Sequence, residues 1–585
     1  MNRVRQKLLT ATIAAIMVVF TYNTAYSETM LAEYRSPEGV VYQSYSKEWS
    51  SDARLALLHT ELLNNTHGEE LSALKYVIIY PDYRGKSAGE SGAYQLSYQI
   101  LNNGNYEITS ESKITLYGGN VLNTVEKIAH SLSKQYGKHF TQYYILKKEN
   151  ILLGRDGLMS KYAELRQLPQ HLETAERTKV AAIIEDLAAD DYVQLFGSPL
   201  AKKHYSFPNL IDQFEKNPNV WNQPEVSSYM FNVMPQSNLD MPLANDVNGL
   251  RAYLASISNI AKNSQDPKII RPRLYVAGIQ QLTNQKSSVQ VTLAWDTPVD
   301  RNQRLNYTLV TYGKTDHQPF PIITYDNLAL EGKTLTGRYG SAISRKDNRI
   351  HYNKHIGFYG EKTFVVFASD RHGNIVSSNK LTLDLSKDPI ELVSNQVRYQ
   401  DMKPSHWGYQ DLSIADGYQI ISGYPDNTFR PENQVTRAEL LSILYKVDRF
   451  AEPIAYPISV NQEYVEADHW IVPTLNDAIR KKIVKQEHYG NHYQDFVFDE
   501  TITREEVAML CSQILHVRGY GAVNSQIKEP LTDIKNSLYI DDINLILQYN
   551  IVKGFPDGTF RPLNKLTRAE AVVIANRLMQ IIRAN

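Results

Sequence analysis

Cysteine is nearly missing from this chain. Its 585 residues contain one, Cys511, so no intrachain disulfide can form and a disulfide-stapled scaffold is excluded. That cysteine lies in the apolar helical run Val507–Leu515, which suits a small buried hydrophobe better than a nucleophile. Charge imbalance is missing as well: 62 basic residues face 63 acidic ones, for a net charge of −1. Nothing global therefore points to nucleic acid or to an acidic surface. Past the N-terminal segment no stretch is apolar enough to span a bilayer. No Gly-x-Ser-x-Gly elbow and no glycine-rich phosphate cradle is present.

What is present is an exportable, multidomain chain. The composition, 42% hydrophobic and 21% charged, is ordinary for a soluble protein, and the length suggests roughly three to five domains. The 39 tyrosines suit β-rich segments and carbohydrate-facing surfaces, though core packing uses them equally well. Arg3, Arg5 and Lys7 precede the uncharged stretch Leu8 to Phe20, and Ala25-Tyr26-Ser27 offers small residues for a signal peptidase. Residues 1–27 thus read as a signal peptide, with a mature start near Glu28. An exported chain without disulfides or a lipid-attachment cysteine fits the cell surface of a Gram-positive bacterium, held there by something other than lipid.

Residues 28–266 mix helical and strand patterns. Leu55, Leu57, Leu58, Leu62 and Leu63 form a helical stripe, Lys75 to Tyr80 reads as a short buried strand, and long helices are expected from Leu122 to Tyr144 and from Ala175 to Phe196. Residues 267–388 carry short alternating runs divided by turns, such as Val289 to Trp295 and Thr363 to Ala368. They read as a β-sandwich resembling a fibronectin type III or immunoglobulin-like module, with Trp295 in its core. Residues 389–396 read as a polar linker.

Within the first long helix, Ile128 to Phe140 resembles the active helix of zinc metalloproteases, the zincins. The resemblance implies that residues 28–266 are an α+β zincin-like domain, with an acidic third ligand expected near Asp190 and Asp191. It also places Lys134 and Lys138 at the two histidine positions and Gln135 at the general base. Two ammonium groups on one helix face have no lone pair for zinc and repel a dication. Gln135 cannot take a proton from water. The expectation is a degenerate site: no catalytic residues, no metal, no cofactor and no enzyme activity. Neither His130 nor His139 rebuilds the site on its own.

The C-terminal third repeats itself. Thr436-Arg437-Ala438-Glu439, Thr503-Arg504-Glu505-Glu506 and Thr567-Arg568-Ala569-Glu570 each open an apolar helical run. Two are preceded by matching loops, Gly423-Tyr424-Pro425-Asp426-Asn427-Thr428-Phe429-Arg430-Pro431 and Gly554-Phe555-Pro556-Asp557-Gly558-Thr559-Phe560-Arg561-Pro562. Thr and Glu at this spacing form a capping box. Arginine at the first helical position is explained differently. A cation there is mildly unfavourable unless an anion joins it, so arginine fork and helix end together suggest a carboxylate or phosphate site.

These units resemble S-layer homology (SLH) domains. The resemblance covers 397–455, 456–525 and 526–585 and implies an all-α three-repeat bundle that binds secondary cell-wall polymer on peptidoglycan, often through a pyruvylated sugar. By that resemblance Arg437, Arg504 and Arg568 would hold the polymer's carboxylate. Asp401, Trp407, Ser422, Gly423, Tyr424, Trp470, Asp533, Gly554 and Phe555 complete the expected polymer-binding set. The repeats are unequal. In the third, Leu538-Tyr539 stands where His-Trp is expected, and the second has Lys485 to Phe496 in place of the Gly-Tyr-Pro-Asp loop.

The reading is a multidomain surface protein on the wall of a Gram-positive-type bacterium, with no membrane span in the mature chain and no nucleic-acid partner. Its primary role is attachment through an anionic polymer. Alternatives are a structural component of a surface layer that self-assembles laterally, or an extracellular hydrolase with an unrecognised catalytic set. With repeat one the most intact, Arg437→Ala is expected to weaken wall retention more than Arg504→Ala.

Overall fold

The computed structural model describes residues 29–86, 91–168, 174–202, 241–260, 269–281, 289–297, 304–313, 320–329, 332–340, 343–346, 349–352, 359–370, 372–397, 399–424, 426–450, 465, 468–488, 497–521 and 531–583. The expected signal peptide and Tyr489 to Phe496 of the second repeat's loop lie outside them. The chain divides into two compact units. One holds the described residues up to 202 together with 247–260, and the other holds 241–246 together with 269–583.

The first unit is built on a five-stranded sheet ordered β1-β2-β3-β7-β4. Its strands are β1 (Ala32–Arg35), β2 (Val41–Ser44), β3 (Leu74–Ile79), β4 (Gly92–Gln95) and β7 (Ser112–Leu116); β5 (Tyr98–Ile100) and β6 (Tyr106–Ile108) form a separate hairpin. β2, β3 and β7 run parallel, and β4 pairs antiparallel with β7 at the sheet edge. The parallel step from β2 to β3 needs a crossover, which helix α1 (Asp52–Leu63) supplies. Helix α2 (Val125–Glu149) starts where Thr124 accepts from the Lys127 amide and stops at Asn150, which takes the left-handed conformation. Its Ile128, Leu132, Tyr136 and Phe140 recur every fourth residue and are fully buried. Helix α3 (Thr174–Phe196) lies close against it. A Cβ on Gly137 would fall 3.0 Å from the Ala189 carbonyl oxygen and clash with the Tyr192 ring.

The second unit opens with two antiparallel sheets. One is ordered β11-β10-β15-β17-β18, with β16 (Ile375–Ser377) on β15; the other is β12-β9-β8. In chain order the strands are β8 (Leu274–Gln281), β9 (Val289–Asp296), β10 (Arg304–Gly313), β11 (Phe320–Ala329), β12 (Thr334–Gly340), β15 (Glu361–Ser369), β17 (Leu381–Asp384) and β18 (Glu391–Asn395). A small hairpin, β13 (Ile343–Lys346) with β14 (Arg349–Tyr352), stands apart from them. Trp295, Tyr307, Leu309 and Phe364 lie in the core between the sheets, and the same apolar cluster continues through Leu412, Leu444, Leu475 and Leu510 to Leu578.

Three features correct the expected fold class. First, residues 389–396 are not a linker, because β18 occupies them, pairs with β17 and packs on the first helix of the repeats. The Asn395 amide donates to Ser413 Oγ at 2.8 Å, and its side chain donates to Asp416 at 2.8 Å. Second, the sheets and the repeats share one core, so they do not divide into a β-sandwich domain and a separate bundle. Third, the repeats are not all-α. Their helices are α4 (Tyr409–Gly417), α5 (Arg437–Phe450), α6 (Val472–Arg480), α7 (Arg504–Val517), α8 (Ile540–Gln548) and α9 (Arg568–Arg583). The extended segments before α5, α7 and α9 join one another by β-bridges: Gln434 with Thr567, Thr436 with Thr501, and Thr503 with Lys565. The chain is therefore a mixture of helices and several sheets throughout. The reason is local: a capping threonine must be extended, as at Thr503 (φ −92°, ψ 161°), and three such segments meet.

Candidate inter-repeat grooves

The three bridges close a ring. The Val435 amide donates to Leu566 O at 2.9 Å, Leu566 to Ile502 O at 3.3 Å, and Ile502 to Val435 O at 3.0 Å. All three side chains are fully buried beneath it. The capping box forms at each helix start. Thr436, Thr503 and Thr567 each accept from the amide three residues on, and Glu439, Glu506 and Glu570 each accept from the threonine amide at 2.8 to 3.1 Å.

The helix ends, however, are not open to an anion. The amides of Arg437 and Ala438 donate to Glu500 O and Phe498 O, those of Arg504 and Glu505 to Asn564 O and Pro562 O, and those of Arg568 and Ala569 to Asn433 O and Pro431 O. Carbonyl groups of the next repeat have taken the place that a ligand was expected to fill. Only the arginine side chains remain as candidates.

Those side chains reach across repeats. Arg504, in repeat two, donates from Nε to Phe560 O at 2.9 Å and from Nη2 to Lys553 O at 3.2 Å, both in repeat three. Its guanidinium stands 4.9 Å from the ring centres of Phe555 and Phe560. Arg568, in repeat three, repeats this in repeat one: Phe429 O at 2.9 Å, Ser422 O at 3.0 Å, and the Tyr424 and Phe429 rings at 4.8 Å. Each groove thus joins the loop of one repeat to the arginine of the repeat before it around the ring. Arg437 belongs to repeat two's groove, not to the intact loop of its own repeat.

The loops themselves are rigid. Asp401 accepts from the Phe429 and Arg430 amides at 2.7 and 2.6 Å, and Asp533 accepts from Phe560 and Arg561 at 2.7 Å each. Both carboxylates clamp their own loops. Gly423 and Gly554 permit the tight fold: a Cβ on Gly423 would run into the Tyr399 ring, and one on Gly554 would sit 2.7 Å from Leu531 Cδ2. Two cations escaped the sequence reading, although both loops repeat them before proline. Arg430 and Arg561 lie over the Tyr424 and Phe555 rings at 4.0 and 3.9 Å. They also pair with Asp426 and Asp557, whose pKa is pushed down to about 2 by hydrogen bonds from Thr428 and Thr559 and from these arginines.

Trp407 and Trp470 are 60% and 59% exposed at the starts of α4 and α6. The third repeat's counterpart is Leu538, 90% exposed. Hydrogen bonding sets this register. His406 Nδ1 accepts from the amide two residues on, as does His469, and in repeat three Ser537 Oγ fills that role for Tyr539. The missing His-Trp pair is therefore replaced by Ser537-Leu538, one residue earlier than the expected Leu538-Tyr539.

Repeat two's groove differs at the arginine that enters it. Arg437 Nε binds Glu506 at 2.6 Å and Nη1 binds Glu500. Burial lowers the pKa of this guanidinium, but the two carboxylates outweigh burial and raise it; the pKa of Arg504 is lowered by burial. In the first unit Lys134 pairs with Asp190 and Lys138 with Asp186, each at 2.7 Å. Gln135 is buried, and its Oε1 has no hydrogen-bond partner. Among the described residues no group of three metal-ligating side chains occurs.

Comparison with known proteins agrees with the repeats. The S-layer homology domain matches residues 398–441 and 530–572, in the first and third repeats. The chain is 31% identical over 164 residues to a cellulosome-anchoring protein of Acetivibrio thermocellus, covering 28% of this chain and 35% of that one. It is 34% identical over 194 residues to a surface layer protein of Brevibacillus choshinensis, covering 30% and 17%. With a middle cell wall protein of Brevibacillus brevis it shares 38% over 123 residues, 20% and 11% of the two chains. The chain spans about a third or less of the length of these relatives. Two S-layer homology domains and relatives of this kind support a location at the cell surface of a Gram-positive bacterium. The family match does not extend into residues 28–266, and the zincin-like assignment gains no support from it. Among the described residues no helix is long and apolar enough to cross a membrane.

Proposed function

We propose that residues 397–585 hold this chain on the cell wall by binding an anionic secondary wall polymer, a pyruvylated one by analogy with the domain's usual ligand. The observation that carries this reading is the position of Arg568 and Arg504. Each lies against a rigid aromatic loop of the next repeat, so a ring face for a sugar adjoins a fork for its carboxylate. Arg430 and Arg561 add a second cation at the rim of each groove. Wall attachment is the chain's primary role, and the cellulosome-anchoring and surface-layer relatives are consistent with it.

The test is retention of the protein on purified sacculi with the polymer intact or chemically stripped. Retention on intact sacculi alone is expected. Equal retention on both would sink the proposal.

Residues 28–266 are read as carried cargo without zinc hydrolase chemistry at Lys134, Gln135 and Lys138. The two lysine–aspartate pairs support this, because ammonium groups already occupy the acidic partners that a cation would need. No casein or peptidoglycan hydrolysis is expected with or without chelator; chelator-sensitive turnover would refute the reading.

A further inference from the structure

The three arginines occupy equivalent backbone positions but different electrostatic ones, and a single residue separates them. Asn433, Glu500 and Asn564 are structural counterparts: each carbonyl oxygen accepts from the amide of the arginine that enters its groove, at 2.8 to 2.9 Å. In repeats one and three the side chain is an amide. In repeat two it is the carboxylate of Glu500, which sits on Arg437 Nη1.

We infer that Glu500 is a built-in carboxylate that occupies Arg437 in place of an external one, and that it makes this chain a two-groove binder. The inference rests on the polymer-binding reading. An incoming carboxylate at Arg437 would meet two charges of its own sign, Glu500 and Glu506, the second bonded at 2.6 Å. At the other arginines the corresponding glutamates stand farther off, Glu570 at 4.0 Å from Arg504 and Glu439 at 3.4 Å from Arg568. Those two guanidiniums also spend donors on neutral carbonyl oxygens, and each faces one carboxylate at longer range where Arg437 faces two at close range. Repeat two also has Val497 where the other loops carry Arg430 and Arg561, so the rim cation of those loops is not present at this position. Charge at the arginine therefore grades the three grooves, and Glu500 is the residue that decides the grade of the second.

Glu500→Asn tests this, because asparagine is what the other repeats carry there and the backbone hydrogen bond is retained. The probe is a pyruvyl-ketal hexosamine glycoside titrated calorimetrically into the full chain. Two equivalents are expected for the unaltered protein and three for E500N, with the third lost again in E500N/R437A. E500Q, which keeps the side-chain length and removes the charge, should also gain the third equivalent if the fold tolerates asparagine poorly. Two equivalents in both E500N and E500Q, or three in the unaltered protein, would overturn the role given to Glu500. No binding by any of the folded proteins would instead overturn the polymer reading, and this role with it.

Discussion

Arg568, in the last repeat, donates from Nε to the carbonyl oxygen of Phe429, 139 residues earlier in the first, at 2.9 Å. The groove at the front of the repeats is thus completed by the residue that opens their final helix. Loop and arginine of one repeat do not face each other.

That relationship reverses the order of arginine substitutions expected from the repeats taken singly. Arg568→Ala and Arg504→Ala should each weaken retention on sacculi by about tenfold or more, the size expected for one charge-assisted pair. Arg437→Ala should change it less than about threefold, since its fork is already held by Glu506 and Glu500. Binding isotherms of the three variants would check the order.

Stability of the repeats should behave as one unit. Ile502 is fully buried and bonded to both other segments of the ring. Ile502→Ala should cost about 2–5 kcal/mol through lost burial and the cavity left behind. Calorimetry should show all three repeats shifting together in a single transition. A residual transition at the original temperature would mean that the ring does not couple them.

The clamps can be tested separately from the arginines. Asp401→Ala removes the charged acceptor for two amides of repeat one's loop and should cost about 1–3 kcal/mol. Its effect on binding should be confined to that groove, halving the number of sites that a titration detects while the affinity of the remaining one holds.

A pH effect belongs to the first unit. His139 is fully buried, with Tyr94 donating to Nδ1 at 2.9 Å and Nε2 facing the Glu70 carbonyl at 2.7 Å. A carbonyl only accepts, so Nε2 carries the proton and the ring is neutral. Burial depresses its pKa from 6.5 to about 4. The unfolded chain therefore binds a proton that the folded one refuses. Stability is fully present above about pH 6.5 and falls as pH drops towards 4, by on the order of 3 kcal/mol. Hydrogen exchange of the α2 amides between pH 4 and 7 would reveal it, and His139→Gln should reduce that dependence to the share of His130, whose pKa burial also lowers to about 4.

Much of this was legible in the residues. The capping boxes follow from Thr and Glu three apart, because that spacing returns a side chain to the first amides of its own helix. α1, α2 and α3 follow from apolar periodicity over two or more turns. The loops of repeats one and three follow from near-identical wording. Each is a local matter, decided within a dozen residues.

What the sequence could not state is which arginine meets which loop. Arg437 stands seven residues after Arg430 in the chain and serves another groove, because the extended caps meet in a ring and hand each helix start to its neighbour. The same ring closes the helix ends with backbone carbonyls and puts Glu500 on Arg437, a pairing across 63 residues. It also merges the repeats with the sheets before them through β18, where a polar stretch had suggested a linker. Type of helix start and chemistry of the motif were therefore determined by the sequence alone. The partner of each arginine was decided only by tertiary structure, since hydrogen bonds between distant segments leave no spacing in the chain to read.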